Sequence, residues 1–273
     1  MRTNYQPLLL TALLCFLTSH VFADDTSIES KSDTTVSMST GFDTTVGSYG
    51  MNRNSISMSI PVSISYDTEN YSFSLMIPYI SQVGPEGSIL GSRTRLFKGA
   101  NKLVVEKGLG DIIGSITRDI YDDDESISLD IKGIIKFATA DVNKGLGTGV
   151  NDYSAQLDAY KEFDTSILTG SVGYTVLGSP GVIDITGIQQ DIEFNNVFYT
   201  LADFTYELSD QSKIGLTFHT EQASQIDGVP QKDLTANFSF KTSNVTTFRC
   251  YMLKGYSEAS PDWGTGASIS GIF

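Results

Sequence analysis

Between residues 55 and 66 every even position is apolar (Ile56, Met58, Ile60, Val62, Ile64, Tyr66), and every odd position except Pro61 is a serine. A period of two is that of a strand, whose successive side chains point to opposite faces; a helix would repeat near 3.6. One face of such a strand is apolar and the other small and polar, which suits a sheet dividing an apolar phase from water. The alternation recurs in about twelve stretches: 36–44, 54–66, 71–80, 109–121, 126–140, 152–163, 165–177, 195–208, 212–223, 234–241, 246–257 and 263–273. A soluble sandwich would alternate too, so the direction of the apolar face has to come from the rest of the chain.

The connections supply it. Tight ones (67–70, 122–125, Asp164, 209–211, 242–245) alternate with longer ones (45–53, 81–108, 141–151, 178–194, 224–233, 258–262). Short turns at one end and long loops at the other are the asymmetry of a transmembrane barrel, and an even strand count returns both termini to the turn end. Parity then sorts the faces. Tyr71, Phe73, Leu75, Ile77 and Tyr79, with Ile127, Leu129, Ile131, Ile135, Ile214, Leu216, Phe218, Leu234, Ala236, Phe238 and Phe240, fall on one face. The other carries the charges: Asp130, Lys132, Lys136, Asp158, Glu162, Asp203, Glu207, Lys213, His219, Glu221 and Arg249. A lipocalin-like soluble barrel has the reverse arrangement and explains neither the aromatic residues near strand ends nor the last strand. The pattern predicts an all-β fold, a transmembrane antiparallel β-barrel of about twelve strands. Pro61 and Pro78 sit awkwardly in it, because each lacks a ladder donor and a closed barrel has no edge strand.

Composition narrows this further. Arg2, the apolar run 8–17 and Val21-Phe22-Ala23 read as a secretory signal peptide cut after Ala23. The expected organisation is signal peptide 1–23, periplasmic lead-in 24–35 and barrel 36–273. Cleavage removes Cys15 and leaves Cys250, so no intramolecular disulfide is expected. No later run is long enough for a membrane helix. At 40% hydrophobic and 18% charged the average resembles that of a soluble protein, as it does in barrels whose alternate residues meet lipid. The formal charge of −14 disfavours nucleic-acid binding, which needs a basic surface.

Three stretches carry a resemblance. The first is Gly108-Leu109-Gly110-Asp111. The second runs from Phe137-Ala138-Thr139-Ala140-Asp141 through Gly145-Leu146-Gly147-Thr148-Gly149 and Asp152-Tyr153-Ser154 to Tyr160-Lys161-Glu162-Phe163. The third is Gly255-Tyr256-Ser257-Glu258-Ala259-Ser260-Pro261-Asp262-Trp263-Gly264. From Gly108 onward the chain resembles the outer-membrane barrel family of meta-pathway of phenol degradation type transporters, departing from it at Ala138 and Ala140, where proline and glycine are usual. The closing strand, ending on Phe273, resembles the assembly signal of outer-membrane barrels, with Gly271 where a bulky residue is usual. The resemblance implies a barrel and a transport role, and it names no solute.

A channel requires polar groups along its lumen, and the inward charges supply both signs; the same groups pairing with one another would fill a narrow barrel instead. The longest loop, 81–108, carries Arg93, Arg95, Lys98, Lys102 and Lys107. Folded inward it would narrow the lumen and favour anions; outside it would meet solvent or lipid phosphates. His219, the histidine left after cleavage, is expected near Asp203, with Asn237 or Ser239 beyond it. That is raw material for nucleophilic catalysis, but on a lumen face it reads as a polar network. The run 122–125 lacks the spacing of a calcium loop, and Cys250 is expected on the lipid face between Phe248 and Met252. The sequence therefore predicts an outer-membrane channel for passive passage of small solutes, with no catalytic, cofactor-binding or metal-ligating residues. Its partners are outer-membrane lipid and lipopolysaccharide, the barrel assembly machinery and an unspecified small solute. The alternatives are a closed structural or surface-binding barrel and a lipid-acting enzyme.

Overall fold

The computed structural model describes residues 34–50, 53–85, 102–122, 127–185, 188–225 and 228–273. The expected signal peptide and nearly all of the lead-in lie outside the described residues. The alternating stretches form strands β1 (Thr35–Gly47), β2 (Ser55–Asp67), β3 (Tyr71–Pro85), β4 (Leu103–Leu109), β5 (Ile112–Tyr121), β6 (Ser128–Phe137), β7 (Asp152–Phe163), β8 (Ser166–Val176), β9 (Gly181–Ile185), β10 (Ile188–Ile192), β11 (Val197–Ser209), β12 (Ser212–Glu221), β13 (Gln231–Ser243), β14 (Thr246–Gly255) and β15 (Trp263–Ile272). Neighbours in the barrel are antiparallel, and it closes where β15 pairs with β1, Ser270 opposite Ser39. Both β4 and β5 pair with β3 and together make one strand, so the barrel has twelve. Closure removes the sheet edges that would otherwise template aggregation. β9 and β10 form a separate hairpin within the predicted loop 178–194.

Short turns join β2 to β3, β7 to β8, β11 to β12 and β13 to β14 at one end, the turn end. The longer connections lie at the other, the loop end. Loop 81–108 is shorter than the alternation suggested: β3 and β4 continue pairing as far as Pro85 and Leu103.

The predicted strand 109–121 is in fact interrupted. Met76 pairs with Ile113 and Tyr79 with Leu109, so two residues of β3 face three of its partner. The extra residue makes a bulge at Gly110–Asp111. It switches parity, turning Asp111 and Ile113 inward where Gly108 and Glu106 were the inward residues before it. The bulge accommodates Pro78, whose missing donor falls in the ladder gap, while Gly110 N–H still donates to the Pro78 carbonyl at 2.8 Å. Pro61 lies directly across β2–β3 from Pro78. The β1–β2 ladder skips it, passing from Thr40 opposite Val62 to Asp43 opposite Ser59, and Thr40 Oγ1 donates to the Pro61 carbonyl at 2.9 Å. The two prolines thus share one height in the wall, each beside a break in its outer ladder.

The predicted outward residues are exposed or half-buried on the outside. Between rings of aromatic residues, Tyr66, Tyr71, Phe73, Tyr206 and Phe248 towards the turn end and Tyr79, Phe137, Tyr153, Tyr174, Phe198 and Trp263 towards the loop end, the surface is largely Ile, Leu, Val and Phe. An apolar band of this extent in water would be an aggregation surface. In lipid it is the ordinary exterior of a spanning barrel. Cys250 lies on this outward face, half-buried and free.

Candidate functional site: the interior of the barrel

Twelve strands enclose more space than their own inward side chains need at the turn end, where Ser37, Ser39, Ser72, Ser74, Ser239 and Ser270 remain partly accessible. Towards the loop end the interior is packed with polar side chains. All eleven charged or histidine residues predicted for the inner face occupy inward positions, but they belong to distinct clusters.

The most elaborate cluster is built from the motif stretches. Lys136, on β6 and 2% exposed, places Nζ 2.8 Å from Asp152 Oδ2, 3.3 Å from Asp111 Oδ2 and 3.0 Å from Thr148 Oγ1. Asp111 Oδ1 accepts from the backbone N–H of Thr139 (3.0 Å) and Ala140 (2.9 Å), and Asp152 Oδ1 from that of Gly178 (2.9 Å). Asp111 can do this only because the bulge turns it inward. The connection 138–151 bends into the barrel mouth, with Leu146 1% exposed. Its glycines permit the approach. A Cβ at Gly147 would lie 2.8 Å from the Asp111 carboxylate, one at Gly108 would lie 2.8 Å from Leu146 Cδ1, and Gly149 has φ +73°. Ala138 and Ala140 both use their backbone donors, Ala138 N–H donating to Asn151 Oδ1 at 2.8 Å, a bond that a proline at 138 could not make. Sequence patterning found Lys136 and missed Asp111, Thr148 and Asp152. Parity on β7 could have found Asp152; the bulge hid Asp111.

Below it on β6 and β7, Asp130 faces Asp158 across the ladder and Lys132 faces Gln156, so Lys132 is the diagonal neighbour of Asp158. Tyr199 Oη donates to Gln156 Oε1 and Gln156 Nε2 to Asp158 Oδ1, both at 2.7 Å. On β11 and β12, Asp203 accepts from Thr217 Oγ1 (2.6 Å) and Thr205 Oγ1 (3.1 Å). Here the expected partnership of His219 with Asp203 is overturned. The β11–β12 register sets Asp203 opposite Thr217 and His219 opposite Leu201, and His219 instead faces Asp233 of β13, Nδ1 to Oδ2 3.0 Å. Gln231 Nε2 donates to the same carboxylate oxygen at 3.1 Å. Asn237 and Ser239 lie nearer the turn end on β13 and do not complete a triad. Glu221 stands between Tyr199 and Gln231 in the ladders.

At the turn end Lys213 pairs with Glu207 at 2.9 Å, both partly exposed. Glu162 is exposed and Arg249 half-buried. Tyr251 Oη of β14 donates to Asp43 Oδ1 of β1 across the intervening β15, over Gly266, which pairs with both residues. Among the described residues no group of His, Cys, Asp and Glu is arranged to hold a metal ion. Of 122–125 only Asp122 is described, and its Oδ1 accepts from Ser128 Oγ at 2.8 Å.

An apolar patch interrupts this polar interior. Met76, Ile113 and Ile134 pack together on β3, β5 and β6, next to Pro78 and Ile80. The basic-loop expectation is corrected in part. Lys107 is a β4 residue, exposed on the outward side opposite Ser81, because the loop's ends are strand; it does not face the lumen. Lys102 is exposed just before β4, and Arg93, Arg95 and Lys98 lie outside the described residues.

No family model matches the chain, and no curated protein matches it in sequence. Solved structures do match its fold. The crystal structure of the COG4313 outer membrane channel from Pseudomonas putida F1 is similar at TM-score 0.69 and 11% identity, covering 91% of this chain and 98% of that one. The translocator domain of the autotransporter NalP from Neisseria meningitidis is similar at TM-score 0.55 and 14% identity, covering 97% and 94%. The KdgM porin matches at TM-score 0.52 and 8% identity, covering 87% and 99%. At these identities the likeness is one of fold: the chain is a β-barrel of the outer-membrane type.

Proposed function

We propose that the chain is a passive outer-membrane channel for small solutes. The observation that carries this reading is the inversion of polarity, an apolar exterior around an interior lined with charged side chains, in a closed barrel. Carboxylates outnumber lysines and arginines on the inner face, which includes Asp43, Glu106, Asp119, Asp130, Asp158, Asp203, Glu221 and Asp233, so the path favours cations. The inward connection 138–151 narrows the loop end, and the inner charged residues line what remains open. Met76, partly accessible over the buried Ile113 and Ile134, gives the inner wall one apolar spot, and the resemblance to the phenol-pathway transporter family is what supports a small uncharged organic solute. In this reading residues 1–23 are removed on export and the barrel assembly machinery folds the barrel through its last strand, where Phe273 N–H donates to the Val36 carbonyl at 2.9 Å. The test is conductance of the refolded chain in a planar bilayer.

A closed barrel with a structural role is the second reading, and one observation favours it: Lys132, Lys136, Asp158, His219, Glu221 and Asp233 are almost wholly inaccessible. The two readings separate on whether folded, inserted protein passes ions.

A further inference from the structure

Charge on the outside of the barrel has one sign. The outward positions of its strands carry Lys107, Arg118, Lys161, Lys232 and Lys254 and no carboxylate, in a chain of formal charge −14. Arg118 and Lys161 stand at the turn end, each over one ring, Tyr71 at 5.5 Å and Phe163 at 5.7 Å. Lys232 and Lys254 stand together at the loop end. Lys254 faces Leu234 across β13–β14, and two residues further towards the loop end, past the inward pair Asp233 and Gly255, Tyr256 N–H donates to the Lys232 carbonyl at 2.8 Å. The two lysines are therefore diagonal neighbours on one outer face, roughly 7–8 Å apart at their backbones.

Trp263 lies opposite Lys254 on β15, and Trp263 and Tyr256 are both exposed. Lys254 Nζ donates to the Asp262 carbonyl at 2.8 Å, which holds the ammonium at the rim without neutralising it. The Asp262 carboxylate itself accepts from Ser48 N–H at 3.1 Å. Below the pair, towards mid-barrel, the surface is Leu234, Met252 and Phe218.

Two lysines adjacent on one outer face above an apolar wall, flanked by two amphipathic rings, complement a lipid that carries phosphate at its head and several acyl chains below. We propose that Lys232, Lys254, Tyr256 and Trp263 form a binding site for a phosphorylated, acylated glycolipid of the outer leaflet, of the lipid A type. The inference rests on the outer-membrane reading with the loop end outward, and it is independent of whether the barrel conducts.

Trp263 is the only tryptophan of the chain, so its emission reports from the site. The full chain, refolded in detergent micelles, is titrated with diphosphoryl lipid A, with the same lipid after dephosphorylation, and with inorganic phosphate. The expected result is a saturable change with diphosphoryl lipid A, at least about tenfold weaker for the dephosphorylated lipid, and none with inorganic phosphate. Lys232→Gln with Lys254→Gln should weaken binding about thirtyfold, from the usual contribution of a basic side chain at an anionic surface. Lys232→Arg with Lys254→Arg should retain binding, and Lys161→Gln at the opposite rim should leave it unchanged; heat-modifiable gel migration confirms folding of each variant. Equal binding of the dephosphorylated lipid, or full binding by the Gln pair, overturns the site. A response to inorganic phosphate matching that to the lipid overturns the lipid as its occupant, and it leaves the conductance reading untouched.

Discussion

Lys136 shows what a buried charge demands of its surroundings. Two carboxylates and a threonine hydroxyl meet its ammonium, and the carboxylates' other oxygens hold backbone N–H groups of the loop end. Removing the cation strands Asp111 and Asp152 together in a packed interior, a far larger loss than an exposed pair would show. Lys136→Ala should therefore destabilise the barrel by about 3–5 kcal/mol in urea unfolding from lipid vesicles. If its midpoint matched that of the parent protein, the cluster would not be holding the connection 138–151. His219 shares one carboxylate and touches no described nucleophile. Any lipid hydrolysis found with the purified protein should survive His219→Ala; loss of hydrolysis in a folded variant would reinstate the enzymatic alternative.

Strands make the same argument by parity. A charge placed outward at mid-barrel enters lipid, whereas one placed inward at the turn end meets accessible polar surface. Leu216→Arg should cost about 2–4 kcal/mol of unfolding free energy. Ser239→Arg, on the inward side of neighbouring β13, should stay within roughly 0.5 kcal/mol of the parent. Similar costs for the two would mean that the faces are wrongly assigned. The connection 256–262 is tight as well: a Cβ at Gly255 would lie 2.0 Å from the Pro261 carbonyl oxygen, so Gly255→Ala has to displace backbone. A loss of about 1–3 kcal/mol is expected there. Alternation of Ile with Ser on β2 made this element and both of its faces legible from sequence alone, as it did for most of the barrel. Elements set by pairing geometry were not legible. Nothing local in Gly108-Leu109-Gly110-Asp111 announces the bulge; it exists because the neighbouring strand brings Pro78 to that height. The partner of His219 was missed for a related reason: it has an inward carboxylate on each neighbouring strand, Asp203 diagonal to it on β11 and Asp233 opposite it on β13, and only the registers decide between them. The β9–β10 hairpin is short enough to read as loop.

Taken as a whole, the barrel keeps the carboxylates of its strands inside and shows lipid a surface whose few charges are basic. In a barrel of this width, whether the interior is a path or a filling depends on how the loop-end clusters sit in the bilayer. The acidic excess on the inner wall fixes the sign of selectivity for any path that exists, whatever solute uses it. Reversal potential of single channels formed by the refolded chain, under a KCl gradient in a planar bilayer, reads both properties at once. Small discrete steps with a reversal potential displaced towards that of potassium are the predicted result. Anion preference would contradict the assignment of the inner wall, and silence from protein shown to be folded and inserted would contradict the channel itself.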